Sequence, residues 1–518
     1  MEGLQPARKE QKPSNTTTLL TSSLSDVDVV SVRHAISENE RTIDTLDAEI
    51  EGHMRTIRQL QYKKQQHLVE IRRCKGMITL AKRLPPEILA SIFEECVEDG
   101  WTRTPLTVSH VCLNWRKAAS IPTVWSHIFV NLDSRDPYNR TLLWLKNSQS
   151  APLTIQLEVG NEMSQIDRTM ELLMTEIYRW RVLNIKSIWL APVNQILQAC
   201  NNKPAPQIRS LSIDVAQEFT PNDPNIEADD QQLIVLRNSV NAPQLRHMHI
   251  HRNLLPGRNI IPSSISHLSL SLPSLSVITR QSTASVLRLL GELLTLQSLS
   301  IEVPSGHRQS FELDANQGAV VQLTQLKKLV LTGLNNIFGI LPHLRLPLLS
   351  QLHLRSSLEY LQAEEMATWI EQFLDRSQPA LSVLEIRDLG LDSEAYGRIL
   401  PLLFTVQELR LHDSDILDTV LRQLSGPEWR CPNLQRLDLR WCGRLTGRAL
   451  VELVRNRLPI EEGIAMSRKA ITKITVINCS FVKEEDILDL AQMTVCYLKY
   501  KGQDDFCRKC LEIHPSSF

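Results

Sequence analysis

Glycine is scarce, with 18 residues in a chain of 518. That leaves little room for glycine-rich phosphate loops or for many tight hairpins. Net charge is nearly absent too. The 57 Lys and Arg against 58 Asp and Glu give a formal charge of -1. This excludes a globally basic nucleic-acid binder and a globally acidic tail protein, and no nucleic-acid partner is expected. No run of 18 apolar residues occurs, so no segment is expected to span a membrane. The stretch from Met1 to Lys12 lacks the apolar core of a secretory signal. The ten cysteines, scattered from Cys74 to Cys510, are expected to be reduced thiols of a protein of the cytoplasm and/or nucleus.

Signatures of catalysis are missing as well. There is no Gly-x-x-x-x-Gly-Lys, Gly-x-Gly-x-x-Gly, His-Glu-x-x-His or Gly-x-Ser-x-Gly. No catalytic residue and no cofactor are expected. Cys496, Cys507, Cys510 and His514 could supply four zinc ligands. The Cys-x-x-Cys pair is single, however, and the spacing of Cys496 fits no finger. Free or packed thiols are the expected state, with no metal.

At roughly 150 residues per domain, the length accommodates three or four domains. Residues 1–28 are rich in Ser, Thr and Asp and read as a disordered lead. Residues 29–83 read as a coiled-coil helix. No proline lies between Pro13 and Pro85, and Ile36, Ile43, Ile50 and Ile57 stand seven residues apart. Leu46 and Leu60 occupy the matching d positions, and Ile71 and Ile78 resume the a register after Lys64. Glu38 to Glu51 holds six acids and one Arg41; Arg55 to Arg83 holds nine Lys or Arg and one Glu70. A parallel dimer would set like charges side by side, so any self-association through residues 36–83 is expected to be antiparallel. The alternative is an amphipathic helix folded on its own protein.

Residues 84–130 carry the sharpest signal. Leu84-Pro85-Pro86-Glu87-Ile88-Leu89 has the proline and the acid of a helix start. Ile88, Leu89, Ile92, Phe93 and Cys96 follow on one face. Val108, Val111, Cys112, Trp115, Ala118 and Ala119 form a second helical set, which Pro122 stops, and Trp125 lies just beyond. So many large apolar groups exceed what so short a segment can bury alone, which points to a protein partner. The pair "LPPEILASIF" and "VSHVCLNWRKAASIPTVW" resembles the F-box. The resemblance implies a small all-α module that docks a Skp-type adaptor and, through it, a cullin. By motif position it implies contacts at Leu84, Pro85, Ile88, Leu89, Ile92 and Phe93. Val111, Cys112 and Trp115 would be contacts or their support. The stretch "VEDGWTRTP" from Val97 makes the interval between the two helices longer than the family's usual one.

From residue 131 to 495 the chain reads as a leucine-rich-repeat-like solenoid of α/β class. "PLTIQLEV", "QIDRTMELLMTEIYRW" and "VLNIKSIWL" read as strand, helix, strand. An apolar-x-x-apolar-x-apolar pattern then starts at Ile208, Leu245, Ile265, Leu296, Leu326, Leu349, Leu381, Val406, Leu434 and Ile471. The positions that flank its second and third apolar residues are predicted to line a concave face. Of these thirty, only Val330, Val383 and Ile477 are apolar. A random draw at the chain's 42% hydrophobic content would give about twelve or thirteen, so the alternation is real and a stacked solenoid is its simplest cause.

Cys442 and Cys479 recur eight residues into their repeats, as in the cysteine-containing subclass of leucine-rich repeats, and are expected to be buried at the turn leaving the strand. Loops are expected at Thr220 to Asp230 and at Arg457 to Arg468, and residues 496–518 read as a tail. On the concave face His247 and His249 head a histidine cluster, and Arg355, Arg387, Arg410, Arg436 and Arg440 make the later repeats basic. These are the candidates for holding a protein substrate, best an acidic peptide; a solvated face without recognition is the alternative. The resemblance and the solenoid together imply the substrate-recognition adaptor of an SCF-type ubiquitin ligase. A non-ligase interaction scaffold is the alternative.

Overall fold

The computed structural model describes residues 26–77, 83–160, 165–201, 203–216, 242–251, 261–272, 281–303, 311–312, 320–333, 335–356, 363–412, 416–426, 430–458 and 469–499. The expected loop at Thr220 to Asp230 lies outside them, as do Cys507, Cys510 and His514. The chain divides into two compact units, residues 1–85 and 86–518.

Among the described residues the first unit holds the long helix α1 (Asp26–Met77). It opens inside the segment expected to be a disordered lead. At 1.5 Å per residue its 52 residues span about 78 Å. Ile36, Ile43, Ile50, Ile57 and Ile71 are all exposed along it.

The second unit begins with the short helices α2 (Pro86–Glu98), α3 (Thr104–Ser109) and α4 (Leu113–Ala119). The sequence predicts one helix where α3 and α4 stand. The chain breaks it at Cys112, whose backbone is extended (φ -160°, ψ 172°) and forms the N-cap of α4. Pro122 does not end α4, which stops at Ala119. It opens a 3-10 turn, Pro122–Trp125.

Among the described residues one sheet of fourteen parallel strands follows, each strand paired with the next of the sheet in chain order. They are β1 (His127–Asn131), β2 (Leu153–Val159), β3 (Trp180–Ser187), β4 (Ser210–Val215), β5 (His247–His251), β6 (His267–Ser271) and β7 (Ser298–Val303). The series continues with β8 (Lys328–Gly333), β9 (Gln351–Ser356), β10 (Val383–Arg387), β11 (Glu408–His412), β12 (Arg436–Arg440), β13 (Lys473–Ile477) and β14 (Val495–Lys499). Strands β4 to β13 are the ten that the apolar pattern predicts. β14 extends the sheet past residue 495, so Cys496, expected in a tail, lies in a strand opposite Ile474.

Parallel neighbours need a crossover, and helices such as α5 (Pro137–Ser148), α6 (Ile166–Met174) and α7 (Leu190–Asn201) supply it. The same register aligns Ile128, Ile155, Leu183, Leu211 and Met248 in one buried column. Its continuation through Leu329, Leu352, Leu384, Leu409 and Leu437 is equally buried. Truncating one such leucine to alanine typically costs about 2–5 kcal/mol, so these columns are the main cohesion between repeats. Hydroxyls add a second tie where the strands begin. Ser350 donates to Lys327 O (3.0 Å), Ser382 to Ser350 O (2.9 Å) and Thr405 to Leu381 O (2.7 Å).

Gly333 ends β8 with φ +129°, and a Cβ there would stand 2.0 Å from the carbonyl oxygen of Val303 on β7. Backbone blocks that space, so the two strands would have to part. Gly333→Ala is expected to lower stability by at least about 2 kcal/mol in denaturant melts. An unchanged midpoint would refute the close approach.

Candidate functional site

The module of α2 to α4 sorts its apolar residues onto two sides. Leu89, Ala90, Phe93 and Val97 of α2 point inward and are buried. The Phe93 ring meets Trp115 of α4 with centroids 5.1 Å apart and planes at 56°. Arg116 Nε donates to Ser109 O (2.8 Å) and ties α4 to α3. The Trp125 indole donates to Ala119 O (2.6 Å), and its ring sits edge-on to Trp144 of α5, with centroids 5.2 Å apart. The Arg140 guanidinium lies 4.9 Å from the Trp144 ring, where burial lowers its pKa.

With the interior filled in this way, Ile88 and Ile92, one turn apart on α2, stay 49% and 44% exposed. Val111 is exposed at the break between α3 and α4. Leu84, Cys112 and Trp115 are half-buried and Pro85 is exposed. Leu89 and Phe93, grouped with the contacts by motif, are at most 2% exposed and pack the module's own core. Trp101 and Leu113 are exposed apolar residues that the motif does not single out. Leu113 becomes visible only once the second helix is seen to break at Cys112.

The strand face predicted to be concave has a different character from the one its arginines alone suggest. Strand register places His353, Glu385, Arg410 and Asp438 in one row across β9 to β12, so basic and acidic residues alternate along the row. Glu385 is at its centre. His353 Nδ1 lies 2.9 Å from Oε2, Arg355 Nε 2.5 Å from Oε1, and Arg410 Nη1 3.6 Å from Oε2. Arg410 and Arg436 share Glu408, at 2.5 and 2.7 Å. Arg440 grips Asp438 with two bonds of 2.9 Å, and His412 Nε2 stands 3.4 Å from the same carboxylate.

Burial would raise the pKa of both Glu385 and Asp438, but the donors outweigh it. His353 and Arg355 hold Glu385 well below the usual carboxylate range, and His412 and Arg440 bring Asp438 down to about 2. The carboxylate bonded to Arg440 in turn raises that arginine's pKa. Arg355, Arg410, Arg436 and Arg440 are therefore partnered side chains fixed in place, not a bare basic patch. Arg387 sits in register between Arg355 and His412. Sequence alone does not single out Glu385 and His353 as site residues, because strand register brings them to each other and to Arg355 and Arg410.

Toward the N-terminal end of the sheet, His247 stacks on His267 with ring centroids 4.5 Å apart. His249 lies parallel to His251 at 6.0 Å, and His251 Nδ1 is 2.9 Å from Asp214 Oδ1. Burial and the neighbouring His251 lower the pKa of His249. Among the described residues no group of three or more His, Cys, Asp or Glu is arranged to hold a metal ion. Cys442 and Cys479 are buried just past β12 and β13, each following a residue with positive φ, Trp441 (53°) and Asn478 (54°). The Cys442 thiol donates to Leu411 O at 3.3 Å.

Residues 81–131 match the model of the F-box-like family. The chain therefore carries an F-box-like domain, followed by a parallel-sheet solenoid. No curated protein matches this chain. Among solved structures it is similar to a chain of the crystal structure of the Rad7 and Elc1 complex in yeast, at 15% identity and a TM-score of 0.36. That likeness covers 83% of this chain and 97% of the other.

Proposed function

We propose that this chain is a non-catalytic substrate-recognition adaptor of an SCF-type cullin-RING ubiquitin ligase. The F-box-like module docks a Skp-type adaptor and, through it, a cullin. The solenoid, read as leucine-rich repeats, holds the substrate on its concave face. The observation that carries this reading is the family match at 81–131, on helices that fill their own core yet leave Ile88, Ile92 and Val111 exposed. Exposed apolar residues on a small, already packed module are what a protein partner covers. Leu84, Pro85, Ile88, Ile92 and Val111 serve as contacts. Leu89, Phe93, Cys112 and Trp115 hold the helices that present them.

On the concave face the five arginines at 355, 387, 410, 436 and 440 outnumber the carboxylates of Glu385, Glu408 and Asp438. The excess of cation favours an acidic peptide, and fixed side chains cost less entropy to order on binding. Arg436, 52% exposed, is the most accessible of those paired with Glu385, Glu408 or Asp438. His247 and His249 extend the same face toward the F-box end of the sheet. Catalysis is by proximity: a tethered substrate meets the ubiquitin-charged enzyme at high effective concentration. Such an adaptor works in the cytoplasm or nucleus. Among the described residues no helix is long and apolar enough to cross a membrane.

The double substitution Ile88→Asp/Ile92→Asp tests the docking face, with titration calorimetry against a purified Skp-type adaptor. Affinity is expected to fall at least about a hundredfold, because two carboxylates would be buried in an apolar contact. The melting temperature should hold, since both side chains are exposed. Undiminished affinity would place the contact elsewhere.

A further inference from the structure

Helix α1 is continuous for 52 residues and carries exposed isoleucines at 36, 43, 50, 57 and 71. Every residue from Val30 to Lys75 is exposed. A helix this long with a bare apolar seam is stabilised chiefly by whatever covers that seam. The helix is also two-signed. Glu38 to Glu51 has a net charge of -5, and Arg55 to Lys75, with seven Lys or Arg against Glu70, has +6. The best complement to such a surface is the same surface reversed.

We infer that α1 pairs with α1 of a second copy of this chain in an antiparallel coiled coil centred near Arg55. Acid then lies over base along both halves. In an antiparallel pair each a position meets a d position of the other helix. Centred at Arg55, Ile50 meets the partner's Leu60, and Ile57 meets the partner's His53. Leu46 meets the partner's Lys64, whose four-carbon stem covers the leucine while its ammonium reaches water. Beside the seam, Glu49 faces the partner's Lys63 and Glu40 the partner's Lys75. The parallel, in-register alternative stacks Lys64 on Lys64 within the seam and sets each charge block against its own sign. The charge order selects the antiparallel direction.

The full-length chain tests both parts of this inference. Sedimentation velocity at tens of micromolar is expected to give twice the 59.0 kDa chain mass. High salt should raise the dissociation constant several-fold. Ile50→Lys with Leu60→Lys should give a monomer whose solenoid melts unchanged.

Direction is read with the native, exposed Cys74. In the antiparallel pair Cys74 meets position 36 of the partner. Positions 36 and 74 of one helix lie about 57 Å apart, so a link between them must join two chains. Mild oxidation of Ile36→Cys should yield a covalent dimer, with peptide mapping showing the 36–74 link, while the wild type stays uncrosslinked at Cys74. A wild-type Cys74–Cys74 disulfide would overturn the antiparallel direction. A monomer at tens of micromolar would overturn the pairing itself.

Discussion

Replacing Glu385 by alanine is expected to lower the stability of the solenoid by about 3–5 kcal/mol, the range for removing one member of a buried ion pair. The Glu385 side chain is 3% exposed, and its Oε2 stands 2.9 Å from Nδ1 of His353, itself 6% exposed. Without the carboxylate, Arg355 also loses its partner, and the Arg410 guanidinium loses one of two. Arg355→Ala should cost less, because Arg355 is more exposed and its loss leaves Glu385 bonded to His353. Urea melts that rank Arg355→Ala above Glu385→Ala in cost, or place Glu385→Ala below about 1 kcal/mol, would show that the network is not a structural unit.

The same network makes stability depend on acid. Folded-state pKa values below the unfolded ones mean that the contribution is complete above the unfolded pKa and is lost as pH falls through the folded one. For Asp438 the window runs from 3.8 down to about 2. A tenfold change in proton affinity is worth about 1.4 kcal/mol, so about 2 kcal/mol should be lost by pH 2. Asp438→Asn should remove that part of the slope.

The second large effect is expected at Arg457. The sequence predicts a loop that opens at this residue; instead it caps helix Gly447–Asn456 and is 1% exposed. Its guanidinium donates to four backbone carbonyls: Leu424 (3.2 Å), Leu434 (3.3 Å), Arg430 (3.0 Å) and Cys431 (2.7 Å). Leu424, Arg430 and Cys431 belong to the repeat before its own and Leu434 opens its own, so Arg457 ties two repeats together. Arg457→Met fits the volume but supplies no donors. It is expected to cost about 3–5 kcal/mol, since each buried carbonyl left unpaired costs about 1–3 and the removed charge returns some desolvation. Arg457→Lys should recover only part of this, because a single ammonium cannot copy the planar fork. A melt of Arg457→Met within about 1 kcal/mol of wild type would mean that water serves these carbonyls equally well.

What could be read from the sequence follows from the range of the interactions. Strands β4 to β13 announce themselves because buried residues alternate locally, as in Leu329 and Leu331 between Lys328, Val330 and Thr332. The helix α1 does so through its seven-residue period. The charged network does so only in part: Glu408 and Asp438 stand two residues before Arg410 and Arg440, whereas its cross-strand pairs join residues 25 or more positions apart, such as Arg355 with Glu385 and Arg436 with Glu408. Their arginines can be picked out from sequence, but their partners follow only from strand register. In the F-box-like module the apolar face of α2 is legible as a stripe. Which edge of the stripe is buried depends on where α4 packs, so in sequence Leu89 and Phe93 look no different from Ile88 and Ile92. The break at Cys112 leaves no local mark either, since no Gly or Pro stands there.

Recovery of the tagged full-length chain from cells, probed for a Skp-type adaptor and a cullin beside Ile88→Asp/Ile92→Asp, tests the adaptor role most directly. Both proteins are predicted to come down with the wild type and to be lost with the variant. Recovery of the adaptor without a cullin would contradict the ligase role and favour an interaction scaffold. Recovery of neither would contradict the adaptor role altogether.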